Sequence, residues 1–240
     1  MGGLGIAQLA AEIWHRIIAT QPAPSRTVVL VAAGVAALLV LTPRTWPVVR
    51  HAITLVHEGS HAAVAVLTGR RLAGIRLHSD TSGLTVSVGR PRGPGMIATA
   101  AAGYVGPGVL GLGAAWLASR GHGVAVLWIL LLLLVGVLIQ IRNWFGLWSV
   151  LVTGTALVAV TWWATGPWQS ATAYAITWFL LLGAPRPVVE LRVRRGGGSD
   201  ADVLARLTHV PALVWVVFFG AVTVGAAVLG GIFLVAASSA

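Results

Sequence analysis

The chain has 240 residues, of which 57% are hydrophobic and 9% are charged, and its mean hydropathy is +0.89. This composition excludes an ordinary soluble domain and predicts an integral membrane protein, while the absence of cysteine excludes disulfides, thiolate metal sites and iron–sulfur clusters. The formal net charge is +10, but the basic residues are all arginines that lie between apolar runs, so they indicate membrane topology and anionic lipid rather than nucleic acid.

Residues 1–26 are predicted to form an amphipathic segment at the membrane interface. Apolar residues recur there at helical spacing from Leu4 to Ile17, Glu12 and Arg16 lie on the opposite face, and Pro22 ends the pattern. Residues 27–240 are predicted to form a single integral membrane domain.

Seven later stretches are apolar and long enough to cross the hydrocarbon core of a membrane. The first and the sixth are short, so six spans are an alternative. The predicted fold is therefore an all-α polytopic membrane protein with about seven transmembrane helices. The stretches are residues 27–42, 47–68, 94–118, 123–141, 144–165, 168–184 and 211–236.

The arginines between these stretches predict the orientation of the chain. With seven spans and the N-terminus in the cytoplasm, only Arg44, Arg50 and Arg120 of the sixteen arginines fall outside, and the other thirteen fall inside. This bias predicts a cytoplasmic N-terminus, an external C-terminus and contacts with anionic lipid at the cytoplasmic face.

Two connections carry structure of their own. In residues 72–89, apolar and polar residues alternate on both sides of the turn-forming segment 79–83, which predicts a β-hairpin. Residues 185–200 are predicted to form a basic cytoplasmic loop with a glycine hinge, followed by a new helix near Ser199. The apolar residues expected to share one face of the hairpin are Ile75, Leu77, Leu84, Val86 and Val88.

The most informative motif is His-Glu-Gly-Ser-His at residues 57–61, inside the second apolar stretch. Residues four apart on a helix leave the same face one turn apart, so the imidazoles of His57 and His61 can hold one metal ion. Glu58 lies at the edge of that face, where it can reach an activated water without being a ligand, which is the position of a general base. Zinc bound there would lower the pKa of water toward about 7.

A structural interpretation of the same motif is that the histidines form hydrogen bonds between helices and that Glu58 pairs with an arginine. An ionisable residue inside a membrane span costs about 2.5–3.5 kcal/mol on insertion scales, so three together favour a functional role. A metal site and a proton path both fit that role. An ion or proton transporter therefore stays an alternative, as does a non-catalytic membrane scaffold.

The motif in an early helix, the predicted hairpin after it and the glycine-rich stretch AAGYVGPGVLGLG resemble the site-2 protease family of intramembrane zinc metalloproteases, in particular its compact bacterial M50B-like branch. The resemblance implies a zinc metalloendopeptidase of the bacterial cell membrane that cleaves membrane-embedded or membrane-proximal peptide bonds. It implies one Zn²⁺ per chain, bound by His57 and His61, with Glu58 as the catalytic base and an aspartate from a later helix as the third ligand.

Three aspartates could supply that third ligand: Asp80, Asp200 and Asp202. Asp80 lies in the predicted hairpin turn, where aspartate is common for local reasons. Asp202 also has a local explanation, because Ser199 and Asp202 match a helix capping box. The compact branch tends to have Ser-Asp-Ala before its final helix, and residues 199–201 match it, so the resemblance favours Asp200 with Asp202 as the alternative.

Asn143 is a candidate contact for the substrate or the transition state. At the start of the fifth stretch it could donate a hydrogen bond to a substrate carbonyl or a developing oxyanion, and a helix-cap or interfacial role is the alternative. The expected partners of the protein are a membrane-protein substrate and anionic lipid, without nucleic acid.

Overall fold

The computed structural model describes residues 5–193 and 198–238. Within these residues the chain forms ten helices and one two-stranded antiparallel sheet. The strands are β1 (Arg71–Leu77) and β2 (Gly83–Val88). The helices are α1 (Ile6–Ile18), α2 (Arg26–Leu41), α3 (Trp46–Leu67), α4 (Pro94–Ser119), α5 (Gly123–Gln140), α6 (Trp144–Trp163), α7 (Gly166–Gly183), α8 (Pro185–Val193), α9 (Asp200–Thr208) and α10 (Ala212–Ala237).

Each of the seven apolar stretches forms a helix, but the count of seven spans is not confirmed. Four helices in the described part of the chain, α4, α5, α6 and α10, are long and apolar enough to cross a membrane. A fifth span is obtained if α2 and α3 form one broken span, since the chain bends by 101° between them. The chain is therefore a mostly helical integral membrane protein with four or five candidate spans.

Helix α4 packs against α3, α7 and α10 and connects them. Small residues permit these close contacts, because a Cβ atom at Gly111 would lie only 3.1 Å from the Leu181 side chain on α7. Tyr174 of α7 and Leu234 of α10 are fully buried in the apolar core on this side of α4. Helix α4 thus contacts both that core and α3, which carries the two histidines.

A polar cluster joins the start of α3 to α8. The Trp46 indole donates a 2.7 Å hydrogen bond to the Glu190 carboxylate, and Arg50 Nη1 lies 2.9 Å from the other carboxylate oxygen. Arg186 Nε lies 3.5 Å from Glu190, and its guanidinium lies 4.6 Å from the centre of the Trp46 ring. Arg50 and Arg186 therefore contact one carboxylate, although the seven-span orientation assigned them to opposite faces. The chain bends by 101° between α2 and α3, and one broken span in place of two crossings would put both arginines on the same side.

The predicted hairpin is present, but the expectation that its apolar residues share one face is wrong. Ile75 and Leu77 of β1 are buried. Ile75 pairs with Thr85, and paired residues point to the same side of an antiparallel sheet, so the register puts the apolar residues of β2 on the other face. Those exposed residues are Leu84, Val86 and Val88.

Strand β1 has a neighbour along each edge. Strand β2 lies on one side, and on the other the backbone N–H of Arg142 donates a 2.9 Å hydrogen bond to the Ile75 carbonyl. The Asn143 amide extends this contact, since its Nδ2 donates to the Leu77 carbonyl at 2.6 Å and its Oδ1 accepts from the Leu77 N–H at 3.2 Å. Among the described residues, the outer edge of β2 has no strand beside it.

The predictions for the N-terminal segment and for the loop at residues 185–200 have different outcomes. Residues 6–18 form the predicted N-terminal helix, and its location at a membrane interface stays a prediction. The predicted basic loop begins as helix α8, and residues 194–197 of the predicted hinge lie outside the described residues. Helix α9 begins at Asp200 with Ser199 as its N-cap, close to the predicted start.

Replacing Glu190 with glutamine tests the polar cluster. The variant keeps the side-chain shape but removes the negative charge between Arg50 and Arg186, so we expect the free energy of unfolding to fall by about 1–3 kcal/mol. Unfolding in detergent, followed by tryptophan fluorescence, measures the change. Glu12→Gln is the control, because the Glu12–Arg16 pair lies within α1 with both side chains 37% exposed, and its loss should cost less than about 1 kcal/mol. Equal losses in the two variants would contradict the role of Glu190.

Candidate metal centre

Helix α3 presents two histidines one turn apart. His57 and His61 are four residues apart, and their Nε2 atoms lie 3.1 Å from each other. The two rings are nearly perpendicular, at 83°, and pack edge to face. The two nitrogen atoms therefore lie together on one side of α3, which is the arrangement expected from their spacing.

Helix α9 brings a carboxylate to the same place. Asp200 Oδ2 lies 3.2 Å from Nε2 of His57 and 3.2 Å from Nε2 of His61. Apolar packing holds α9 there, because Ala201 and Leu204 are buried in one cluster with residues of α4 and α10. His57, His61 and Asp200 thus form a group that could hold a metal ion.

The other two aspartates have local partners in the structure. Asp202 Oδ2 accepts hydrogen bonds from the Ser199 hydroxyl at 2.7 Å and from the Ser199 backbone N–H at 3.0 Å, which completes the capping box at the start of α9. Asp80 accepts bonds from Ser82 in the hairpin turn. In each case the hydrogen bond from the serine hydroxyl lowers the pKa of the aspartate below its usual value.

A backbone carbonyl of α4 orients the second histidine. The Thr99 carbonyl oxygen lies 2.6 Å from Nδ1 of His61. Because a carbonyl can only accept, Nδ1 carries a proton, so Nε2 is the nitrogen of the neutral ring that can bind a metal ion. Histidines that bind metal ions are typically oriented by a bond of this kind. The His57 ring is also held from α4, since it packs edge-on against Tyr104 with 4.8 Å between ring centres.

Gly103 of α4 leaves the space that both imidazoles occupy. A Cβ atom at this position would overlap Nε2 of His61 and lie 2.5 Å from Nε2 of His57. The close approach of α4 to α3 at the two histidines therefore requires glycine. Gly103 belongs to the glycine-rich stretch that carried part of the family resemblance, whereas no sequence pattern pointed to Thr99 or Tyr104.

The three converging atoms fit the coordination geometry of zinc. They form a triangle with edges of 3.1, 3.2 and 3.2 Å. Zinc binds nitrogen and carboxylate oxygen at about 2.0–2.2 Å with tetrahedral angles, which separates neighbouring ligand atoms by about 3.3–3.5 Å. Three ligands from the protein also leave a fourth position open, as in catalytic zinc sites.

Glu58 is buried next to His57 and contacts strand β2. Its Oε2 accepts a 2.6 Å hydrogen bond from the Thr85 hydroxyl. Strand β2 passes so close that a Cβ atom at Gly83 would lie 2.5 Å from Oε1 of Glu58. No local sequence pattern links Glu58 to Thr85, so sequence reasoning missed both hairpin residues.

Asn143 is the candidate substrate contact. Its side-chain amide donates one hydrogen bond to the backbone of Leu77 and accepts another from it. It is also the N-cap residue of α6, without a hydrogen bond from its side chain to that helix. These bonds tie the start of α6 to β1. A contact between Asn143 and a substrate stays a prediction.

Comparison with known proteins gave one match. A family model described as peptidase M50B-like matches residues 30–230, a range that includes every residue of the candidate metal centre. Neither the curated proteins nor the solved structures gave a match.

Gly103→Ala tests the contact between α4 and the two histidines. The added methyl group has to displace His57 and His61, so we expect zinc occupancy of the purified protein to fall at least tenfold at a zinc concentration that half-saturates the wild type. Metal analysis by mass spectrometry measures the occupancy. Gly113→Ala on the same helix is the matched control, because a Cβ atom there has open space around it. Unchanged occupancy in Gly103→Ala would refute the role of this glycine.

Asp200→Asn and Asp202→Asn distinguish the two candidate third ligands. We expect Asp200→Asn to lose zinc, because the amide removes the anionic ligand oxygen. Asp202→Asn should keep zinc and lose about 0.5–2 kcal/mol of stability through its weakened capping box. Zinc titration and thermal unfolding of both variants separate the two effects. Zinc loss in Asp202→Asn alone would reassign the ligand.

Proposed function

The chain belongs to the peptidase M50B-like family, and on this premise we propose that it is a zinc-dependent intramembrane protease. The observation that carries the proposal is the convergence of Nε2 of His57, Nε2 of His61 and Oδ2 of Asp200 within 3.2 Å of one another. Two imidazoles and one carboxylate are a ligand set suited to a single zinc ion with an open position. One Zn²⁺ per chain is therefore part of the proposal.

Three residues would bind the metal ion, and contacts from α4 orient the histidines among them. Zinc, when bound, supplies Lewis acidity, which makes water a nucleophile near neutral pH and polarises a carbonyl. His57 and His61 would hold the ion as neutral ligands, and Asp200 would add one negative charge. The Thr99 carbonyl keeps His61 in the tautomer that offers Nε2, and Gly103 lets α4 approach closely enough for that bond.

Glu58 acts as the general base in this proposal. It accepts a proton from the attacking water as the carbon–oxygen bond forms at the scissile carbonyl. It then donates that proton to the amine nitrogen as the carbon–nitrogen bond breaks. The residue is only 5% exposed, so bulk water has little access to the carboxylate during the transfer.

The substrate that fits this site is a membrane-embedded or membrane-proximal segment in extended form. A transmembrane helix bonds its carbonyls internally, so it has to unwind before a carbonyl can be attacked. The outer edge of β2 has no strand beside it among the described residues, and the same strand contacts Glu58. An unwound segment could add to that edge through backbone hydrogen bonds and lie close to the base.

Several expectations from the sequence accompany the proposal as predictions. These are the cytoplasmic N-terminus, the external C-terminus, the bacterial cell membrane and the contacts with anionic lipid. The orientation depends on the number of spans, which is four or five by length and composition.

Glu58→Gln tests catalysis separately from metal binding. The amide is nearly the same size but cannot accept the proton, so we expect full zinc occupancy and a loss of at least about 100-fold in cleavage rate. The assay uses purified protein in liposomes with a membrane-tethered reporter peptide, together with metal analysis of the same samples. Glu12→Gln is the matched control and should cleave like the wild type, since Glu12 pairs with Arg16 on α1.

Two outcomes would overturn the proposal. One is a cleavage rate in Glu58→Gln equal to that of the wild type. The other is a wild-type protein that binds no zinc under conditions in which it remains folded.

A further inference from the structure

We propose that strand β2 positions the general base: the Thr85 hydroxyl holds one oxygen of the Glu58 carboxylate, and Gly83 leaves the space that the other oxygen needs. This inference rests on the proposed function and adds two residues to it. Both are positioning residues, because they act on the reaction through Glu58. The hairpin would then position the general base as well as bind the substrate.

The Thr85 hydroxyl lies within hydrogen-bond distance of two oxygen atoms of Glu58. Thr85 Oγ1 lies 2.6 Å from Oε2 of Glu58 and 3.0 Å from the backbone carbonyl oxygen of the same residue. The hydroxyl has one proton, and the bond to the charged carboxylate is the shorter of the two. Thr85 thus binds Glu58 at both its side chain and its backbone.

Gly83 lies two residues earlier on the same face of β2. A Cβ atom there would lie 2.5 Å from both Cγ and Oε1 of Glu58 and 2.7 Å from its Cδ. The backbone of Gly83 is in an extended strand, so glycine is needed for the space rather than for an unusual conformation. The Glu58 side chain therefore lies flat against the strand between these two positions.

This arrangement gives the two carboxylate oxygens different tasks. Oε2 is bonded to Thr85, so Oε1 is the oxygen that exchanges the proton with water and the leaving amine. A glutamate side chain has three rotatable bonds, and an unrestrained carboxylate would sample positions away from the reacting water. Fixing the carboxylate on a rigid strand removes that freedom before the substrate arrives.

Thr85→Val tests the hydroxyl while keeping a β-branched side chain suited to a strand. We expect unchanged zinc occupancy, a KM within about twofold of the wild type, and a kcat lower by about ten- to hundredfold, a part of the 10²–10⁴ that a general base contributes. Thr85→Ser restores the hydroxyl and should recover most of the kcat. Gly83→Ala should lower kcat as well, because the methyl group displaces the carboxylate.

Ser87→Ala is the matched control on the same strand. The Ser87 hydroxyl faces the same side of β2 but accepts a hydrogen bond from Arg70 Nε at 3.0 Å. We expect this variant to cleave like the wild type. If Ser87→Ala lost as much kcat as Thr85→Val, the hairpin would matter only as a folded support and the inference would be wrong.

A second measurement does not depend on activity. The chain contains three glutamates, at residues 12, 58 and 190, so carboxyl-labelled ¹³C-glutamate gives three resonances, and the one lost in Glu58→Gln is that of Glu58. Thr85→Val should shift this resonance by more than its linewidth and leave the other two in place, with and without zinc.

The outcomes separate the inference from the proposed function. A wild type that cleaves, together with Thr85→Val that matches it in kcat and in the Glu58 resonance, would overturn the inference alone. A Glu58→Gln variant that cleaves as fast as the wild type would overturn the assignment of Glu58 as base, and with it both proposals.

Discussion

His57, Glu58 and His61 are three ionisable side chains close together on α3, and groups from other parts of the chain have to satisfy them. A buried polar or charged group without a partner costs several kcal/mol, so α3 cannot be stable without such contacts. Helix α4 supplies the Thr99 carbonyl to His61, β2 supplies the Thr85 hydroxyl to Glu58, and α9 supplies a carboxylate to both histidines. The requirement to satisfy one turn of α3 thus brings three distant elements to one place.

The need for a partner also applies to the acidic residues in the rest of the molecule. The chain has six aspartates and glutamates, and each has a defined partner in the structure. Four of them form local or helix-anchoring contacts, and the other two lie at the candidate metal centre. The first group is Glu12, Asp80, Glu190 and Asp202, and the second is Glu58 and Asp200. In an apolar protein, carboxylates therefore occur where a turn, a cap, an arginine cluster or a metal site requires them.

Local sequence patterns predicted those features of the structure that are determined by residues close together along the chain. The spacing of His57 and His61, the hairpin and the cap at Ser199 are all readable from a few consecutive residues. Contacts between distant segments were not readable: the bend between α2 and α3, the pairing of Arg50 with Glu190, and the bond from Thr85 to Glu58. The hairpin face was missed for a related reason, because the register of two strands depends on their turn and not on the alternation within each strand. The resemblance to a family, rather than geometry, singled out Asp200 among three aspartates.

The position of Asp200 along the chain has a consequence for biosynthesis. The two histidines lie on α3, and the converging carboxylate follows α4 to α8, so a ribosome makes it only after most of the described helices. Until then a nascent chain carries two imidazoles without their third partner, and its affinity for zinc would be correspondingly low. The candidate metal centre therefore cannot assemble until nearly all of the described helices have been made, since only α10 follows α9 along the chain.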